Sequence, residues 1–153
     1  MNWYTFLKFV HVLSVVIWIG GLTGLSAAAW RIARERNRAA LTTLLKQANV
    51  YGQRVVGPTA GLVVITGLAM VGIGHIGFGT FWVWFGYAAV VVQAVLGGFI
   101  IRKQTMELAK LAASPSGDDV ALVAAARKLW NIQLVYLVLF AIIIAAMVIK
   151  PTP

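Results

Sequence analysis

Two histidines and one methionine are the side chains of this sequence best suited to chemistry. His11 lies within the apolar stretch FVHVLSVVIWIGG, where a titratable ring is unusual and is by default a functional hypothesis. His75 lies in a glycine-rich link, and Met147 lies near the end of the last apolar segment. Histidine with histidine, or histidine with methionine, can supply both axial ligands of haem iron. The residue types therefore predict a candidate haem b site with His11 as one ligand and either His75 or Met147 as the other.

The helical neighbours of His11 would form the rest of this candidate site. Lys8, Ser14 and Trp18 are at helical spacing from His11, so they share one side of a helix with it. That side is polar at its outer end and aromatic further in, which suits a flat ligand. Lys8, together with Lys150 near the other end of the chain, is a candidate to pair with haem propionates.

Other interpretations of the same residues stay open. His11 has the alternative role of a hydrogen-bonding residue between helices, with Gln93 or a Ser or Thr hydroxyl as its partner, and interhelical bonding likewise explains Thr66 and Gln133. Transport of a small molecule or a copper ion is a weaker hypothesis. Four methionines, two histidines and no cysteine are few copper ligands, and no apolar segment contains the acidic residue that a proton-coupled transporter needs.

Four apolar segments must position these residues. They cover roughly residues 3–30, 55–73, 81–101 and 129–149. Each segment is long enough to cross about 30 Å of hydrocarbon as a helix. The chain is 61% hydrophobic, which is more than a soluble domain of 153 residues contains. We therefore predict one all-α domain over residues 1–153, a four-transmembrane-helix bundle of two antiparallel hairpins whose partner is the lipid bilayer.

The basic residues predict the orientation of this bundle. Six of the thirteen Lys and Arg residues lie between the first two apolar segments, and five lie between the last two. The positive-inside rule places both groups in the cytoplasm, where the helices would extend beyond the membrane. Both termini are then predicted to lie outside the inner (plasma) membrane. The net charge of +9 is explained by this topology, so no nucleic-acid partner is predicted.

Glycines at four-residue spacing lie within the spans. Gly20 with Gly24, and Gly57 with Gly61, would allow helix backbones to approach closely in lipid. We interpret them as packing sites among the four helices, with a homodimer or a larger membrane complex as the alternative. The two functional hypotheses are accordingly a haem protein for electron transfer or redox sensing, and a non-catalytic membrane subunit or assembly factor without a cofactor.

Several short segments carry a resemblance to a known family that covers nearly the whole chain. They are His11-Val12-Leu13, Trp18-Ile19-Gly20-Gly21, Pro58, Thr66-Gly67 and Met147-Val148-Ile149-Lys150-Pro151. Together they resemble the small bacterial predicted integral membrane proteins grouped as a domain of unknown function, which implies four spans and no settled activity. More distantly, the first helix, which contains His11, is similar to that of the copper resistance D family and of the HemJ-type protoporphyrinogen oxidases. The latter imply haem held by a first-helix histidine, which corresponds to His11, and a functional lysine deep in a later span, which this sequence lacks.

Overall fold

The computed structural model describes residues 2–77, 79–114 and 118–149, and these are almost entirely helical. Each of its four long helices is long and apolar enough to cross a membrane. The predicted all-α fold with four membrane-spanning helices is therefore confirmed. The pairing into two hairpins and the cytoplasmic position of the helix extensions stay predictions. The helices are α1 (Trp3–Arg34), α2 (Arg38–Ile73), α3 (Phe81–Ala113) and α4 (Asp119–Ile149).

Side-chain caps begin three of these helices. The Asn2 carboxamide accepts a hydrogen bond from the Tyr4 amide at 3.2 Å at the start of α1. Asn37 caps α2 in the same way, and Asp118, before α4, accepts from the Val120 amide at 2.8 Å. Each cap satisfies a backbone N–H that has no partner within its own helix.

The helices α2 and α3 each contain one wide π-helical turn. The turn of α2 covers Gly52–Val56 and comes directly before the Gly57-Pro58 pair. Proline has no amide hydrogen to donate, so it fits where a new α-helical stretch begins. A continuous helix with a local change of winding is thus how the chain accommodates this proline. The second wide turn covers Leu96–Ile101 in α3.

The four helices do not pack equally along their length. The helix α1 packs along the Gly57–Ile73 part of α2 and along α4, and α3 packs against α4. The first part of α2 also packs on Arg102–Ala113, the last part of α3. By contrast, Gly57–Ile73 and Phe81–Val95 do not form a close pair, although the short 74–80 link joins them. The bundle is therefore closed at one end and separated between α2 and α3 at the other.

We refer to these two regions as the basic half (residues 21–59, 96–114 and 118–132) and the terminal half (residues 2–20, 60–95 and 133–149). In the basic half, Arg38 links three elements. Its guanidinium forms an ion pair with Asp119 at 2.7 Å and donates to the carbonyls of Leu111 at 2.8 Å and Ser114 at 3.2 Å. Around it, small and branched side chains fill the space between helices. The buried apolar residues of this half are Ala29, Ala33, Leu41, Leu45, Ile101, Leu108, Ala112, Leu122, Ala126 and Leu129.

The glycine pairs lie on the outer surface of the bundle. A Cβ atom added at Gly20, Gly24 or Gly61 would meet nothing within 4 Å beyond its own helix. At Gly57 it would meet only the carbonyl of Gly52 in the same helix. The prediction that these glycines pack the four helices together is therefore wrong. Four-residue spacing shows that glycines share a face, but it does not show which way that face points.

At Gly21 of α1, a close contact with Tyr51 requires a glycine. A Cβ atom at Gly21 would overlap the ring of Tyr51 from α2. The Tyr51 hydroxyl donates to the carbonyl of Ile17, one turn earlier in α1, at 3.3 Å. The absence of a side chain at Gly21 thus allows a tyrosine to lie across α1 near the boundary between the two halves.

Candidate functional site

The terminal half contains a cavity of about 510 Å³ between all four helices. This volume is within the range of known small-molecule and cofactor sites. The cavity lies where α2 and α3 separate, and most of its lining is apolar. Tyr4 and Trp82 line it near the ends of the helices, and Trp18, Gln93 and Phe140 line it at the deeper end. We call this deeper end the cavity floor.

His11 lines the cavity and is held by a hydrogen bond to α2. Its Nδ1 atom is 3.0 Å from the hydroxyl oxygen of Thr66. The single Thr66 hydroxyl proton is directed to the carbonyl of Leu62, 2.5 Å from the oxygen. In the tautomer in which the Thr66 oxygen accepts from Nδ1–H, the lone pair of the ring belongs to Nε2. A metal-binding histidine requires this arrangement, with one nitrogen held as a donor and the other available.

The same hydrogen bond is the one that the alternative interpretation of His11 requires. It joins α1 to α2 through a threonine hydroxyl, as expected for a polar residue between membrane helices. Gln93, the other suggested partner, is not the residue bound. The bond uses only one ring nitrogen, so a structural role for Nδ1 and a ligand role for Nε2 are compatible.

Glycines make room for both His11 and Met147. A Cβ atom at Gly67 of α2 would lie 3.6 Å from Cε1 of His11, so the ring packs on the Gly67 backbone. On the opposite side, a Cβ atom at Gly86 of α3 would overlap the Met147 methyl group. Gly67 is six residues before the end of α2, and Gly86 is five residues after the start of α3. At 1.5 Å per residue both lie about 8–9 Å from the helix ends, so His11 and Met147 line the cavity at similar depth.

The other predicted site residues divide into two groups. Lys8 and Trp18 line the cavity together with His11 and Met147. Ser14 is buried but does not line the cavity. His75 is exposed in the link after α2, with a left-handed φ of 50°, and is not in the lining either. Lys150 lies outside the described residues.

Sequence reasoning did not assign Gln93 and Tyr87 to a site. Both line the cavity, and Gln93 is only 1% exposed. Within the described residues, both polar atoms of the Gln93 carboxamide lack a protein hydrogen-bond partner, and so does the Tyr87 hydroxyl. Buried polar atoms are nearly always paired, so such atoms mark a place for a bound molecule. The only signal in the sequence is a glutamine inside an apolar segment, which is equally typical of helix packing.

Protein side chains alone do not form a metal site here. Among the residues that the structure describes, no three His, Cys, Asp or Glu side chains lie together. Haem requires less of the protein, because its porphyrin supplies four nitrogens and the chain needs to add only one or two axial ligands. A single lone-pair nitrogen at His11 and a thioether at Met147 meet that requirement.

The fold and the apolar cavity define this chain as a small four-helix integral membrane protein. Residues 5–151 match the family described as Predicted integral membrane protein (DUF2269). The chain belongs to that family, which confirms the main resemblance seen in the sequence. No curated protein and no solved structure matches the chain. The distant resemblance to the copper resistance D and HemJ-type proteins stays a prediction.

Proposed function

We propose that the protein binds haem b in the terminal cavity, with His11 and Met147 as axial ligands, and serves electron transfer or redox sensing. One observation carries this proposal: an imidazole and a thioether line the same apolar cavity at similar depth, and each packs on a glycine of a neighbouring helix. Methionine is favoured over His75 because His75 lies outside the cavity.

The cavity residues suit the parts of a haem molecule. Lys8 lines the cavity on the first turns of α1 and is exposed, so its ammonium group can pair with a propionate. Trp18 and Phe140 meet edge to face at the floor, with ring centroids 5.3 Å apart, and offer aromatic surface to the porphyrin there. Thr66 keeps the Nδ1 proton of His11 in place. When bound, haem would supply one-electron chemistry, and a His/Met pair would favour a higher reduction potential than a His/His pair.

The distribution of basic residues indicates how the bundle is oriented in the membrane. We propose that the basic half faces the cytoplasm and that both termini face the outside of the inner (plasma) membrane. This arrangement is supported by eleven of the thirteen basic residues, which lie between the first and second spans or between the third and fourth. The cavity would then open toward the outer side, where soluble electron carriers or oxidants could reach a haem edge.

An absorption spectrum of the purified protein tests the proposal. The wild type, expressed with added haem precursor and purified in detergent, should show a Soret band that His11→Ala removes. The matched control is His75→Ala, which should keep the band because His75 is outside the cavity. Met147→Ala should keep haem but lose the near-infrared charge-transfer band typical of methionine-ligated ferric haem. A colourless wild type that also fails to bind added haemin would end this proposal.

The exposed glycine pairs favour a second candidate, a non-catalytic membrane subunit or assembly factor. The helix backbone is uncovered at two places on the bundle surface, one at Gly20 and Gly24 and the other at Gly57 and Gly61. In lipid, such surfaces allow another helix to approach closely. A second copy of this chain or another membrane protein would fit there. Co-purification of a partner that survives His11→Ala but is lost in Gly24→Leu would support this function.

A further inference from the structure

A set of buried polar side chains continues from the cavity floor into the middle of the bundle. Gln93 of α3, and Gln133 and Tyr136 of α4, are 1%, 0% and 2% exposed. Within the described residues, three of their polar atoms have no protein partner: both carboxamide atoms of Gln93 and Oε1 of Gln133. The hydroxyl of Tyr136 lies beside the indole of Trp18, whose N–H can donate to it. The remaining amide of Gln133 donates to the hydroxyl of Thr23 in α1 at 3.3 Å.

These side chains follow one another along neighbouring parts of α3, α4 and α1. Gln93 and Gly97 are one helical turn apart and share a face of α3. The Tyr136 hydroxyl lies against Gly97, since a Cβ atom added there would be 3.6 Å from it. Gln133 precedes Tyr136 by three residues on α4, so their side chains are neighbours as well. We call the set of Gln93, Tyr136, Gln133 and Thr23 the polar path.

The path leads from the cavity toward the basic half. Gln93 is twelve residues from the start of α3, and Thr23 is twenty residues from the start of α1. At 1.5 Å per residue these positions are about 18 Å and 30 Å from the terminal end of the bundle. The path therefore spans about 12 Å through the centre of the membrane, where an unpaired polar atom costs several kcal/mol.

We propose that water molecules bound along the polar path connect the cavity floor to Thr23 by hydrogen bonds. Buried waters typically make about three hydrogen bonds to polar groups that otherwise lack partners, and the two glutamines of this path offer three such atoms. Carboxamide and hydroxyl groups can donate as well as accept hydrogen bonds. The row of bound waters and side chains can therefore carry a proton between the cavity floor and the middle of the bundle. No described residue of the path is ionisable near neutral pH, which suits a passive conductor. The inference does not depend on haem binding.

Solid-state NMR of the haem-free protein in bilayers tests this directly. Magnetisation transferred from water protons should reach the side-chain amides of Gln93 and Gln133 at early mixing times. The backbone amides of Leu108 and Ala126, in the closely packed core of the basic half, provide the dry reference. We expect transfer to both glutamines to be several times faster than to this reference. The proposal would be overturned if magnetisation reached the Gln133 side chain no faster than the Leu108 amide. It would also be overturned if Gln93 alone were hydrated.

A tyrosine pair gives matched variants for the same experiment. Tyr136→Phe removes the hydroxyl between the two glutamines and should reduce transfer to Gln133 severalfold while Gln93 keeps its signal. Tyr87→Phe makes the same chemical change on the cavity wall away from the path and should leave Gln133 unaffected. An unchanged Gln133 signal in Tyr136→Phe would contradict a continuous chain.

Thermal stability provides a measurement that does not need assigned spectra. If Oε1 of Gln133 were truly unpaired, Gln133→Met would remove a buried polar atom at similar volume and raise the Tm. If waters satisfy that atom, the same substitution leaves the Thr23 hydroxyl and the waters without partners, so the Tm should fall by a few degrees. A raised Tm would therefore count against bound water at Gln133.

Discussion

In the basic half, alanine and leucine side chains fill the space between the helices, whereas in the terminal half the same helices separate around a cavity. Ala33, Leu41, Leu108 and Leu122 are each 0% exposed, and Arg38 joins α2 to the α3–α4 connection. The terminal half instead directs an imidazole, a thioether and a carboxamide into open space. The comparison shows that packing is uneven along one bundle: side chains fill one half, and the other half contains the cavity of the proposed site.

The largest effect should come from a cavity made in the basic half. Leu108→Ala removes a side chain that is fully enclosed, and we expect it to lower the free energy of unfolding by about 2–5 kcal/mol. Ile143→Ala in the terminal half only enlarges an existing cavity, so its cost should be clearly smaller. Denaturant titration in mixed micelles measures both. Equal losses would mean that the terminal half contributes as much to stability as the basic half.

The next effect concerns Arg38. Arg38→Ala removes the ion pair with Asp119 and two hydrogen bonds to the carbonyls at the end of α3, and should cost about 1–3 kcal/mol. The matched control is Arg31→Ala, because Arg31 pairs with Glu35 on an exposed helix surface. Exposed pairs of this kind contribute about 0.3–0.5 kcal/mol. Similar losses in the two variants would show that Arg38 does not link the elements of the basic half.

A smaller effect is expected where the two halves meet. Gly21→Ala places a methyl group on the ring of Tyr51, and the required shift should cost about 1–2 kcal/mol. Gly20→Ala, one residue away, meets open space and should be neutral or slightly stabilising because alanine favours helix more than glycine. Thermal unfolding of both variants tests the contact. A stable Gly21→Ala protein would mean that Tyr51 packs elsewhere.

The smallest effect on stability should come from the cavity wall. Gly86→Ala overlaps only the flexible end of Met147, which can rotate, so the cost should be below about 1 kcal/mol. Gly67→Ala creates an ordinary contact with His11 and should be tolerated equally well. The haem spectrum should nevertheless change in Gly86→Ala, because the thioether is moved. A large loss of stability in Gly86→Ala would show that this wall cannot adapt to a bound molecule.

The sequence was sufficient to predict the helices but not the space between them. Apolar length and basic residues predict four spans, since each can be read along one chain. Residue type predicts His11 and Met147, and helical spacing from His11 predicts Lys8 and Trp18, but the cavity that they share required the structure.

Properties that depend on helix rotation were not predictable in this way. The outward direction of Gly20 and Gly24 is set by how α1 rotates against its neighbours, and four-residue spacing is the same for an inward or outward face. The choice of Thr66 as the hydrogen-bond partner of His11 depends on contacts between residues far apart in sequence. The lack of a partner for Gln93 depends on such contacts as well. In lipid, hydrophobicity does not distinguish the two faces of a helix, so this information is missing from the pattern.

Hydrogen–deuterium exchange with and without haemin tests the division of roles most directly. We expect haemin to slow backbone exchange in the terminal half, around His11 in α1 and Met147 in α4, and to leave exchange in the closely packed basic half unchanged. His11→Ala should abolish this difference, whereas His75→Ala should preserve it. Protection that appears in the basic half, or no protection anywhere in a folded protein, would contradict the assignment of the cavity as the binding site.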